Sequence, residues 1–136
     1  MRIAYFCFIV AVLAALTGMG LGIYMAVQRD FSLAPAHAHI NLLGWVTLAL
    51  LGLYHRGVER PGNRLAWTQV GCAVAGFVLM TGGLAAYLAT HDAAFVPLLM
   101  VGALLSIAAM ALFLAVLIRD ARKGAARLPE GAAAPA

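Results

Sequence analysis

Ala34-Pro35-Ala36-His37-Ala38-His39-Ile40-Asn41-Leu42-Leu43-Gly44-Trp45 opens a stretch that carries no further ionisable group until Tyr54. Pro35 suits the first turn of a helix, where its missing N–H costs nothing. From 36 to 53 a helix rising 1.5 Å per residue covers about 27 Å, close to the roughly 30 Å of a bilayer's hydrocarbon core. The stretch therefore predicts a membrane-crossing helix that begins beside two histidines. At 3.6 residues per turn, the side chains of His37 and His39 point about 200° apart. They are poorly placed to chelate one ion, and well placed to ligate a different group on each flank of the helix.

The rest of the chain agrees with a membrane setting. Of its 136 residues 65% are hydrophobic and only 10% charged, too apolar a balance for the surface of a soluble domain of this size. An all-α integral membrane protein is expected, with apolar spans near 3–27, 36–53, 65–89 and 95–118 forming one domain over 1–123. Short connections predict four transmembrane helices in up-down-up-down order. Arg2 followed by an apolar run imitates a signal peptide. The run is too long for one, however, and no small-x-small cleavage site with a polar mature start follows, so it is read as a retained helix. Residues 124–136, rich in Ala, Pro and Gly, are expected to form a disordered tail.

Basic residues set the expected orientation. Arg2, then Arg56, Arg60 and Arg64, then Arg119, Arg122, Lys123 and Arg127 fall on one side, and Arg29 on the other. The positive-inside rule places both termini in the cytoplasm of a bacterial inner membrane. His37, His39 and His91 then lie towards the periplasm, and His55, about 24 Å from His39 along the helix, at the inner face. The net charge of +4 follows from this topology and calls for no nucleic-acid partner. Cys7 and Cys72 read as packing residues within helices. Gly18, Gly22, Gly44, Gly52, Gly71, Gly76, Gly82, Gly83 and Gly102 read as positions where helices approach closely or make room for a flat cofactor.

A single histidine near a membrane end ordinarily caps a helix or bonds to a loop carbonyl. A pair flanking one helix is a functional candidate, because ionisable groups inside membrane spans are costly. Bis-histidine haem b is the cofactor such a pair suits, since the bilayer accommodates the apolar porphyrin while the propionates reach the polar edge. Asn41, one turn after His37, can bond an imidazole. Arg29 suits a propionate, or else pairs with Asp30. Trp45 and Phe31 would pack on a porphyrin or face lipid. His91 reads as a loop residue, and His55 beside Tyr54 and Arg56 as an inner-interface anchor.

The segment His37-Ala38-His39-Ile40-Asn41-Leu42-Leu43-Gly44-Trp45 resembles the His-x-His helix of the haem–copper oxidase catalytic subunit (subunit I), particularly the cbb3-type and nitric oxide reductase branches. In that family one histidine of the pair binds the high-spin haem and the other the low-spin haem, on opposite sides of the helix. The family fold is three arcs of four helices around a pseudo-threefold axis, so the resemblance implies that this chain equals one four-helix arc. Three copies would rebuild the array as a cyclic homotrimer. His37 of one protomer and His39 of its neighbour would then cap the two faces of one haem. The chain has no second histidine-bearing helix, no His-His pair for copper and no tyrosine–histidine cross-link motif, so it is not expected to be a stand-alone oxidase. The expectation is a b-type haem protein for electron transfer, or for gas or redox sensing. The alternatives are a copper-binding protein using His37, His39 and His91, or a haem-free accessory subunit of a respiratory oxidase. With no acidic and basic groups paired inside the spans, a transporter is disfavoured.

Overall fold

The computed structural model describes residues 2–58 and 64–125. Four helices are long and apolar enough to cross a membrane: α1 (Ile3–Gln28), α2 (Ala34–Gly57), α3 (Arg64–Thr90) and α4 (Val96–Ala125). A 3₁₀ turn, Ala93–Phe95, leads into α4, with the Asp92 side chain accepting from the Ala94 N–H at 2.8 Å. The helices overrun the expected spans, most of all at the end of α4. That extension brings Asp120 into a helix and makes Gly124 and Ala125 helical instead of part of a tail. Residues 59–63, between α2 and α3, and the rest of the expected tail from 126 to 136 lie outside the described residues.

Glycines show how consecutive helices meet. Gly18, Gly22 and Gly52 stand against Asn41, His37 and Phe8, so α2 runs antiparallel to α1. Gly76 and Gly83 of α3 stand 2.7 Å, by the position of an added Cβ, from the backbone nitrogens of Ser106 and Leu99 in α4, and Gly102 of α4 lies against the Met80 backbone. The α3–α4 hairpin is thus packed backbone to backbone. Gly44 abuts Phe77 and Ala14, fitting α2 between α1 and α3. Gly71 and Gly82, expected to be packing positions, face open space instead. The two antiparallel hairpins share a core of Cys7 and Ala11, Leu48 and Leu51, Val70 and Ala73, and Ala109. α4 packs along α3 and meets α2 through side chains, Asp120 and Phe113 standing against Tyr54.

Within α2, Ile40–Thr47 is a π-helix between the α-helical segments Ala34–His39 and Leu48–Gly57. It accompanies a change in which face is buried: Ala36, Ile40, Gly44, Leu48 and Gly52 are buried at every fourth position, with Leu51 buried beside the last. In a pure α-helix a four-residue step drifts by about 40°, so Gly52 would end nearly opposite Ala36. The wider π turn, bonded i to i+5, advances less per residue and takes back that drift. The Thr47 hydroxyl marks the segment, donating 2.7 Å to the Leu42 carbonyl five residues earlier.

Candidate functional site

Both histidines belong to the α-helical turn that precedes the π segment, so the angular argument from their spacing applies to them. His37 is half-buried and turns towards α1. Its Nδ1 lies 2.9 Å from the Gly18 carbonyl oxygen. A carbonyl only accepts, so Nδ1 carries the proton and Nε2 the lone pair. Gly22 makes the room: a Cβ there would come within 3.2 Å of the His37 ring. His39, on the opposite side, donates its Nδ1 proton to the Pro35 carbonyl at 2.7 Å. Its Nε2 lone pair has no hydrogen-bond partner among the described residues. The two imidazoles are therefore held in one tautomer, each by a backbone carbonyl, with Nε2 as the ligating atom. A carbonyl on the far nitrogen orients a ligating imidazole and raises its basicity.

Asn41 engages His37 alone of the two among the described contacts. Its Nδ2 donates to the His37 carbonyl at 2.9 Å and lies 3.4 Å from His37 Nε2. Its amide also fills the notch at Gly18, where a Cβ would stand 2.7 Å from both amide heteroatoms. Access to His37 Nε2 thus depends on this amide, whereas His39 Nε2 is open.

Arg29, Phe31 and His91 lie near the same end, and Trp45 at the middle of α2. Arg29 closes α1 in the left-handed conformation, φ 52°. Its N–H bonds to Ala26 and that of Asp30 to Met25, a Schellman cap. Asp30 turns its carboxylate to the Ser32 N–H at 2.9 Å. That backbone hydrogen bond holds its carboxyl below the usual range. Trp45 and Phe31 are exposed, at 40% and 63%. His91 is also left-handed, φ 56°, and follows α3 with its N–H on the Tyr87 carbonyl. Among the described residues, no three His, Cys or acidic side chains gather as a metal-binding group. A copper site would need His37, His39 and His91 to converge.

At the opposite end lies a polar group that sequence reasoning missed. The Tyr54 hydroxyl donates to Asp120 at 2.6 Å, joining α2 to α4, and its ring stands edge-on to Phe113. His55 Nε2 meets Gln69 Oε1 at 3.3 Å, joining α2 to α3. Gln69 is fully buried, and its Nε2 has no hydrogen-bond partner among the described residues. The available signals were a carboxylate two residues after Ile118 and a glutamine one turn before Ala73. Neither identifies a partner on another helix.

No family model, no curated protein and no solved structure matches this chain.

Proposed function

We propose that the chain is a b-type haem-binding membrane protein that carries electrons, with His37 of one copy and His39 of a neighbouring copy as axial ligands in a homotrimer. The observation that carries this reading is the pair of Nδ1–H···O=C bonds, to Gly18 and to Pro35, which leave Nε2 as the donor atom on opposite faces of one helix. The resemblance of the His37–Trp45 segment to the His-x-His helix of haem–copper oxidases supports it, as does the notch that Gly18 and Gly22 open for His37 and Asn41. When bound, haem would supply one-electron chemistry. Two imidazole ligands favour electron transfer over gas binding, because no axial position stays open. Asn41 would have to turn its amide away from His37 Nε2 for that ring to ligate. Arg29, at the same end, would offer its guanidinium to a propionate. The orientation that goes with this reading puts both termini in the cytoplasm and the histidines towards the periplasm.

Detergent-purified protein should be red, with a low-spin haem spectrum and the mass of a trimer. His37→Ala and His39→Ala should each abolish the low-spin signature. Unchanged haem content in both variants would overturn the proposal. Carbon monoxide added to the reduced protein should leave the spectrum unaltered; a shift would instead indicate gas sensing with one histidine displaced. Colourless protein holding about one copper per chain by elemental analysis would favour the copper reading.

A further inference from the structure

Between α2 and α4, with α3 at its back, lies a cleft of about 280 Å³ lined by Leu43, Thr47, Ala73, Ser106, Ile107 and Met110. The Thr47 and Ser106 hydroxyls both donate to backbone carbonyls of their own helices, so the cleft presents an almost wholly apolar wall.

A path leads from the cleft to charge. On α4, Ile107, Leu114, Ile118 and Arg122 fall within about 80° of one another at 100° per residue. The three apolar members are 67%, 57% and 46% exposed, and Arg122 is exposed as well. From Ile107 to Arg122 the helix rises about 22 Å, which matches half of a bilayer about 40–45 Å thick including headgroups. With Arg122 at headgroup depth, the cleft therefore sits at the midplane, where an acyl chain ends. Arg56, Arg64 and Lys123, also exposed, share that end of the bundle.

From the cleft's apolar lining, its depth and the basic end to which the apolar strip leads, we infer that α2 and α4 form a docking site for one anionic phospholipid. The phosphate engages Arg122, and one acyl chain runs along Leu114 and Ile118 into the cleft at Ile107 and Met110. This site is separate from the histidines and does not rest on the haem reading.

The test is native mass spectrometry of the full chain in detergent, with phosphatidylglycerol and phosphatidylcholine of identical acyl chains added at equal concentration. One phosphatidylglycerol per chain should be retained in preference to phosphatidylcholine. Arg122→Gln should weaken phosphatidylglycerol retention about fivefold, the effect of one basic side chain beside an anionic headgroup, and leave phosphatidylcholine unchanged. Arg119→Gln removes the same charge about 120° round the helix from Ile107 and should weaken it less. Ile107→Trp, a change at an exposed rim position, should lower retention of both lipids. Equal retention of the two lipids by the unaltered chain would overturn the inference. So would equal losses in Arg122→Gln and Arg119→Gln, or undiminished binding in Ile107→Trp.

Discussion

His37 and His39 share a residue type and a tautomer and differ in what surrounds Nε2. That of His37 faces the Asn41 amide, and that of His39 is open. Asn41 was legible as a partner because it lies one helical turn away. The Gly18 carbonyl was not, since nineteen residues separate it from His37 and only the α1–α2 packing brings them together. The notch is tight enough to test. Gly18→Ala places a Cβ 2.7 Å from the Asn41 amide, so the amide must leave His37. We expect a loss of about 1–3 kcal/mol, as for other overpacked sites, read as a lowered thermal midpoint by circular dichroism. Asp30 gives a pH prediction at the same scale. Its carboxyl is lowered by the Ser32 N–H, so the turn it holds is intact above the ordinary carboxylate pKa of about 3.9. The turn is lost only as pH falls through the lower folded value. Carboxyl carbon shifts should show Asp30 still ionised at pH 3.9, and Ser32→Pro, which removes the donor, should bring its titration back up.

For the elements, existence and number were readable from apolar length alone, because hydrocarbon thickness fixes how many residues a span needs. The π segment escaped because an α-helix was assumed from 36 to 53. In a stretch that is apolar almost throughout, the four-residue recurrence of the buried positions Ala36, Ile40, Gly44, Leu48 and Gly52 shows only in the structure. Glycines were equally ambiguous in sequence. Gly82 and Gly83 are adjacent, yet only Gly83 touches α4. A paired experiment separates them. Gly82→Ala, facing open space, should be neutral or gain up to about 1 kcal/mol from helix propensity. Gly102→Ala, pressed on the Met80 backbone, should lose about 1–3 kcal/mol. Thermal unfolding of the two variants in one detergent should show a lowered midpoint for Gly102→Ala and an unchanged or raised one for Gly82→Ala.

The molecule as a whole is two hairpins. The α1–α2 hairpin carries the histidines, and α4 is held to α2 near one end by Tyr54, Asp120 and Phe113. The cleft between α2 and α4 lies further along the bundle, at Leu43, Thr47 and Ile107. Tyr54→Phe keeps the edge-on contact with Phe113 and removes the 2.6 Å bond to a carboxylate. It should cost about 1.5–3 kcal/mol, typical of a hydrogen bond to a charged group. It should also widen the α2–α4 separation at that end, measurable by spin labels on exposed positions such as Leu53 and Leu117.

Composition and spacing by themselves determined the all-helical class, the four helices long and apolar enough to cross a membrane, and the angle between the two imidazoles. All of these follow from properties local to a span: its apolar length and the angle per residue. Tertiary structure decided which carbonyls fix the histidine tautomers, which glycines lie at contacts, where α2 widens into a π-helix and that Asp120 meets Tyr54. Each of those depends on residues distant in sequence arriving at one place. That arrival is set by how two hairpins pack, and no local pattern encodes it.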